Sequence, residues 1–148
     1  MTAENTVDFD RERLRPLLDS GCPLFQLVSY EWERVDGALI TAAVRMDRRL
    51  YKWTGARRLQ TWNHDENRFD VVDEMMPVEV LEWFRDLEEH AILIIEDAHM
   101  LLEENNTERG FVIWWLREIA RMTKSDNKTL VLGTVAPRIP TELDKEMP

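Results

Sequence analysis

Residues 92–102 read ILIIEDAHMLL, in which four apolar residues are followed by two adjacent acids, Glu96 and Asp97. Ala91 extends the apolar part to AILII, a run without a single polar side chain. Such a run is typical of a strand in a parallel sheet that is covered on both faces. We therefore predict a central parallel strand whose carboxyl end carries two acids, and this strand decides the fold class.

Strand-like and helix-like patterns alternate on both sides of this segment. The other strand-like runs are LFQLVSY (24–30), RLYKWTG (49–55) and KTLVLGTV (128–135). Helix-like patterns run from Val35 to Met46, from Pro77, and from a cap at Asn106 or Thr107. LQTWN and RFDVV flank the polar stretch HDEN and predict a hairpin or an irregular excursion. This alternation predicts an α/β three-layer sandwich with a mainly parallel sheet.

Length and charge restrict the classes of function. A chain of 148 residues is expected to form one domain, here a loose segment 1–8 followed by an α/β domain 9–148. The formal net charge of −10 disfavours binding to nucleic acid or to an anionic membrane, and only Arg48-Arg49 and Arg57-Arg58 suggest a basic patch. One cysteine, a polar N-terminus and no membrane-length apolar run predict a cytoplasmic protein.

The acidic pair resembles the magnesium-holding strand end of P-loop nucleotide hydrolases. In those proteins an aspartate holds Mg²⁺, and the phosphates lie in a glycine-rich loop with a lysine after the first strand. Here the acids come in the order Glu96 then Asp97, the reverse of the usual order. A simpler reading of these acids also stays open, in which they cap the next element or contact water.

The phosphate loop has no counterpart in the sequence. Its place after the first strand is taken by SYEWERVDG, and no Gly-Lys dipeptide occurs anywhere in the chain. Glu31 and Glu33 stand where phosphate oxygens need a positive environment, with Arg34 as the nearest cation. Each like-charge contact at a few ångströms costs on the order of 1–4 kcal/mol. We therefore predict no standard triphosphate binding, no catalytic residue and no cofactor for this chain.

Metal and thiol chemistry receive little support from the sequence. His64, His90, His99 and Cys22 do not show the spacing of a metal site. A nucleophilic pair of Cys22 with a histidine is formally possible. Cys22 precedes an apolar strand, however, so a place in the core is favoured.

The segment GFVIWWLREIARM has more apolar residues than one helical face can bury. The predicted buried stripe consists of Val112, Trp115, Leu116, Ile119 and Met122. Phe111, Ile113 and Trp114 lie off that stripe. Either a second layer covers them or they form an exposed patch of the kind that contacts partners. We predict that they contact a neighbouring domain or subunit.

Four segments in this order resemble the N-terminal half of two-part AAA-family ATPases, encoded in algal plastids and cyanobacteria, with related bacterial forms. These segments are CPLFQLVSYEWERV, LYKWTG, ILIIEDAHMLL and RIPTELDKEMP, and the resemblance covers residues 9–148. In that family the N-terminal half keeps the P-loop sheet without a phosphate loop, and its first strand ends in a Thr/Ser-x-Glu-Glu-x-Arg-like run. Ser29–Arg34, SYEWER, is similar. The resemblance implies a P-loop NTPase/AAA-like fold whose last strand is expected after residue 148.

The resemblance also implies a function. The working phosphate loop, with its ATP and Mg²⁺, belongs to the family's second half, which has no counterpart here. GTVAP offers Thr134 but no asparagine for the family's polar sensor. The chain is thus expected to be a non-hydrolysing interaction or regulatory domain that packs on a catalytic AAA module or oligomer, or recruits protein clients to it. Two alternatives stay open: an ATP- and Mg²⁺-dependent binder or ATPase that uses Glu96 and Asp97, and an unrelated α/β regulator whose resemblance is convergent.

Overall fold

One six-stranded sheet forms the centre of the molecule, in a computed structural model that describes residues 14–123 and 127–135. The strands are β1 (Leu24–Val28), β2 (Arg49–Thr54), β3 (Arg58–Asn63), β4 (Arg68–Asp73), β5 (Ala91–Ile95) and β6 (Lys128–Thr134). Their order in the sheet is β1-β6-β5-β2-β3-β4. β1, β6, β5 and β2 are parallel, whereas β3 and β4 are antiparallel to their neighbours. The predicted α/β class with a mainly parallel sheet is confirmed.

Helices cover both faces of this sheet. The helices are α1 (Arg15–Asp19), α2 (Trp32–Met46), α3 (Pro77–Asp86), a 3₁₀ helix (Ala98–Leu102) and α4 (Arg109–Ala120). Residues of α1 and α2 share one hydrophobic core with one face of the sheet. Residues of α3, the 3₁₀ helix and α4 share a second core with the other face. These three layers are the predicted sandwich.

The strand that decided the fold class is buried on both faces, as predicted. All five residues of β5 have no exposed surface. Because successive side chains of a strand point to opposite faces, Leu93 and Ile95 belong to the core beneath α3 and α4. Ile92 and Ile94 belong to the core beneath α2. Both faces of this strand thus contribute to a hydrophobic core, which explains the uniform run AILII.

The segments LQTWN and RFDVV form the hairpin that was one of two expectations. β3 and β4 pair antiparallel and extend the sheet beyond β2. The ring of Trp62 packs edge-on against the ring of Phe69, with the ring centroids 5.1 Å apart. Val71 and Val72 are about half exposed, at 52% and 53%. The hairpin therefore widens one edge of the sheet and is covered on only part of its surface.

Two helix starts differ from the expectations. α2 begins at Trp32 and not near Val35. α4 begins at Arg109, because the Asn106 side chain accepts the Glu108 N–H at 3.2 Å and holds a turn before the helix. α3 begins at Pro77 as predicted, and the Glu79 carboxylate accepts the Met76 N–H at 3.1 Å.

The position of Arg48 contradicts the predicted basic patch at Arg48-Arg49. This side chain is only 8% exposed, and its guanidinium donates to the side chains of Asn127 and Thr129. Arg48 thus binds side chains at the start of β6 and cannot join Arg49 in a surface patch. The loose segment 1–8, the final PRIPTELDKEMP segment and the expected later strand lie outside the described residues.

Candidate functional site at the strand ends

The turn between β1 and α2 occupies the place of a phosphate loop. β1 ends at Val28 and α2 begins at Trp32, so only residues 29–31 connect them. The Ser29 N–H donates to the Thr134 carbonyl at 3.0 Å, and the Ser29 hydroxyl accepts the Glu31 N–H at 3.0 Å. A glycine-rich phosphate loop needs about eight residues. This turn is too short to wrap around a phosphate group, and its own hydrogen bonds close it.

The indole of Trp32 covers the carboxyl ends of β5 and β6 at Gly133, and this position is called the strand-end crevice below. A methyl group placed on Gly133 would lie 3.0 Å from two indole ring atoms of Trp32, Cη2 and Cζ3. The same point lies 3.3 Å from the carbonyl oxygen of Ile95. Gly133 thus allows the indole to lie directly on the backbone of the sheet. Ligands of parallel α/β sheets bind outside the carboxyl ends of the strands, and here an aromatic ring occupies that position.

An ion cluster joins β2, α2 and the residue that follows β5. The Lys52 ammonium, on β2, is 2.7 Å from a carboxylate oxygen of Asp36 and 3.1 Å from one of Glu96. The three side chains are only 13–20% exposed. The ammonium also lies 4.4 Å from the centre of the Phe69 ring. Glu96, the first acid of the predicted pair, is therefore held by a lysine of the neighbouring strand.

The cluster keeps excess negative charge. The Glu96 carboxylate is attracted by one ammonium, that of Lys52, and repelled by two carboxylates, those of Asp36 and Asp97. Burial raises the pKa of the Glu96 carboxyl, and the attraction of Lys52 opposes this rise without cancelling it. A polyphosphate would add further negative charge at this position. Its Coulomb energy with such a cluster is unfavourable.

Asp97 and Glu96 have different surroundings although they are adjacent in sequence. Asp97 is exposed and adopts a left-handed backbone conformation with φ 54°. Its carbonyl accepts the Met100 N–H at 3.0 Å at the start of the 3₁₀ helix. The backbone of Asp97 thus forms the turn after β5. Glu96 is thus partly buried and paired with Lys52, whereas Asp97 is exposed to solvent.

The three charged residues at the lost phosphate position lie at the exposed start of α2. Arg34 contacts Glu31 at 3.0 Å between guanidinium and carboxylate. Glu33 lies in the first turn of the helix, where its negative charge is favourable for the helix dipole. Arg34 is thus paired with a carboxylate three residues before it. Within the described residues, no group of three or more His, Cys, Asp or Glu side chains is arranged to hold a metal ion.

These observations do not fit MgATP at the strand ends. The turn is short, the indole of Trp32 fills the crevice, and the nearest lysine is paired with two carboxylates. No step of nucleotide chemistry is assigned to these residues.

The aromatic residues of α4 divide between the core and the surface. Phe111 and Trp114 are 67% and 51% exposed, and with Thr107, Gly110 and Trp115 they line an apolar groove of about 500 Å³. The two tryptophan rings contact each other edge-on at 4.8 Å. Ile113 is only 7% exposed and joins the core, because α4 packs against both the sheet and α3. The prediction that Ile113 lies at the surface with Phe111 and Trp114 is therefore wrong.

Four residues of the strand-end crevice and the ion cluster were not predicted from the sequence. These are Trp32, Asp36, Lys52 and Gly133. One signal was available: a lysine between Tyr51 and Trp53 in an apolar strand requires a buried acidic partner. The contact between Trp32 and Gly133 had no local signal, since the two residues are far apart in the chain.

Cys22 has the properties of a structural residue. Its thiol donates to the Leu24 carbonyl at 3.4 Å. Burial raises the pKa of this thiol, which lowers the fraction of reactive thiolate. A nucleophilic role for Cys22 has no support in this environment.

The fold is an α/β three-layer sandwich with two acids after a central strand, and a family comparison identifies its class. The family model described as SpoVK-like AAA ATPase, N-terminal domain, matches residues 10–148. The chain therefore belongs to the SpoVK-like AAA ATPase N-terminal domain family, and the reading as an unrelated α/β protein is wrong. Searches of curated proteins and of solved structures find no match. Among the described residues, no helix has the length and apolar character needed to cross a membrane.

Proposed function

We propose that this N-terminal domain is a non-hydrolysing interaction or regulatory domain, which packs on a catalytic AAA module or recruits protein clients to it. The observation that carries the proposal is the crevice at the carboxyl ends of β5 and β6, where Trp32 lies on Gly133. Because the indole occupies the usual ligand position, the domain is expected to act through contacts of its surface with other proteins and not through a bound nucleotide. ATP and Mg²⁺ would then belong to the partner module.

The exposed aromatic residues of α4 are the proposed contact. Phe111 and Trp114 are large apolar side chains exposed side by side on one helix, next to an apolar groove. Aromatic residues of this kind are enriched at protein interfaces and dominate their binding energy. The proposal applies equally to an AAA module of the same polypeptide and to a separate AAA subunit. The algal plastid and cyanobacterial type of the family, and a cytoplasmic location, remain part of this proposal.

Binding to a catalytic AAA module tests the contact. The Trp114→Glu variant introduces a charge into the patch, and we expect about tenfold weaker binding, or about 1.4 kcal/mol. The matched control is Val44→Glu on α2, because Val44 is exposed to a similar degree, 55% against 51% for Trp114. The control should bind as the unchanged protein does.

Denaturant unfolding of both variants separates binding from folding. Since both side chains are exposed, both midpoints should stay close to that of the unchanged chain. Unaltered binding by Trp114→Glu, or an equal loss in Val44→Glu, would rule out α4 as the contact.

A second candidate, ATP- and Mg²⁺-dependent binding or hydrolysis, has one observation in its favour. Glu96 and Asp97 do lie at the carboxyl end of β5, and the Asp97 carboxylate is exposed. This candidate requires Trp32 to leave the crevice and Glu96 to leave Lys52. It predicts stabilisation of the chain by ATP only when Mg²⁺ is present.

A further inference from the structure

An open groove of about 700 Å³ lies along α3 and shares no residue with the strand-end crevice. Its apolar lining consists of Met75, Trp83 and Leu87, each of them half-buried. The ring of Trp83 packs edge-on against the ring of Tyr51, with the centroids 4.9 Å apart. The groove thus has a fixed apolar floor with an aromatic ring at its centre.

The rim of the groove is entirely acidic. Its charged lining residues are Glu79, Glu82, Asp86, Glu88 and Glu89. In the part of the chain that the structure describes, no basic residue lines the groove. Glu79, Glu82 and Asp86 follow at spacings of three and four, so they share one face of α3 with Trp83. The apolar floor and the negative rim therefore form one continuous surface.

Within the described residues, no ion pair neutralises the negative charge of this rim. The ion pairs found across residues 14–123 and 127–135 include none of the five carboxylates. Glu89 accepts a hydrogen bond from the Tyr51 hydroxyl at 2.7 Å, which leaves its charge in place. The Lys128 ammonium donates to the carbonyls of Phe84, Arg85 and Leu87 at 2.7–2.9 Å. This lysine therefore caps the carboxyl end of α3.

Repulsion among the carboxylates of the rim favours a cation from another molecule. Glu79, Glu82 and Asp86 follow one another at three- and four-residue spacing on α3. Like charges at this spacing on a helix repel each other. A cation supplied by another molecule would relieve this repulsion.

We propose that this groove docks a segment of a partner protein that carries arginine or lysine next to an apolar side chain. The aliphatic stem of a basic residue packs on Trp83 while its cation reaches the carboxylates. An arginine can donate two parallel hydrogen bonds to one carboxylate. The apolar neighbour then covers Met75 and Leu87. The docking of a basic segment goes beyond the proposed function and does not rest on it, since neither α4 nor the crevice takes part.

Fluorescence anisotropy with the whole chain tests this docking. The probe is a short fluorescein-labelled peptide of arginine and leucine, measured at about 150 mM salt so that distant charges are screened. We expect saturable binding of this probe. A peptide with glycine in place of leucine should bind about tenfold more weakly, and one with glutamate in place of arginine should not bind.

A matched pair of charge reversals locates the site. Glu82→Lys with Asp86→Lys removes the centre of the rim and should weaken binding of the arginine–leucine peptide about tenfold. Asp65→Lys with Glu66→Lys, in the exposed turn between β3 and β4, changes the net charge equally and should alter binding less than about twofold. Absence of saturable binding, equal losses in the two double variants, or equal binding of the glycine peptide would overturn the proposal.

Discussion

Gly133→Ala places a methyl group where the indole of Trp32 now lies. The new carbon would be 3.0 Å from two ring atoms of Trp32 and 3.3 Å from the carbonyl oxygen of Ile95. That oxygen belongs to the backbone of the central sheet, so the indole must yield. Overpacking of this kind costs about 1–3 kcal/mol, and the loss of glycine's freedom in the unfolded chain offsets about 0.5–1 kcal/mol. We expect a net loss of about 1–2 kcal/mol in the free energy of unfolding.

A double-mutant cycle measured by denaturant unfolding assigns this loss to Trp32. In a Trp32→Ala background the methyl group no longer meets the ring, and Gly133→Ala should be nearly neutral. The coupling between the two substitutions should thus be about 1–2 kcal/mol. Gly37→Ala on α2 is the control, because a methyl group there meets nothing within 4 Å, and it should stabilise the helix by up to about 1 kcal/mol. Equal effects of Gly133→Ala in both backgrounds would refute the packing of the indole on Gly133.

Three further predictions concern the buried charges. Lys52→Met leaves two carboxylates without their cation and should lower the free energy of unfolding by about 2–4 kcal/mol, measured with denaturant. This loss is smaller than for a fully buried pair, because 13–20% of these side chains stays exposed. Adding Glu96→Gln should recover part of the loss, and no recovery would contradict the cluster. The raised pKa of Glu96 means that the folded chain binds this proton more tightly than the unfolded chain, whose value is near 4.5. The unfolding free energy of the unchanged chain, relative to Glu96→Gln, should therefore fall as pH rises above about 4.5, and a rise would mean that attraction to Lys52 prevails. Lys128→Met removes the ammonium that donates to three carbonyls at the end of α3. The free energy of unfolding should fall by about 2–4 kcal/mol in the same assay. A fall of less than about 1 kcal/mol would contradict this role.

The fold could be predicted where the chemistry of the side chains is local. The run AILII permits little except a strand covered on both faces, and it became β5. Pro77 set the start of α3 for a similar reason, since its fixed backbone angle suits a first helical position. The start of α2 was predicted three residues late, because the apolar spacing begins at Val35 whereas the helix begins with Trp32.

The candidate site could be predicted only in part. The acids after β5 and the loss of the phosphate loop are visible in single segments of the sequence. The filling of the crevice depends on Trp32 meeting Gly133, and the cluster depends on Asp36, Lys52 and Glu96 meeting from three elements. Such contacts follow from strand order and register, which no single segment specifies. Ile113 shows the same limit, since only the packing of α4 on α3 decided its burial.

A thermal unfolding titration with ATP in the presence of Mg²⁺ tests the filled crevice most directly. A ligand at a hundred times its dissociation constant stabilises the folded chain by about 2.7 kcal/mol, which corresponds to about 5–10 °C for a domain of this size. We expect a midpoint that ATP leaves unchanged within about 1 °C, with and without Mg²⁺. A rise of several degrees that disappears when Mg²⁺ is chelated would contradict it.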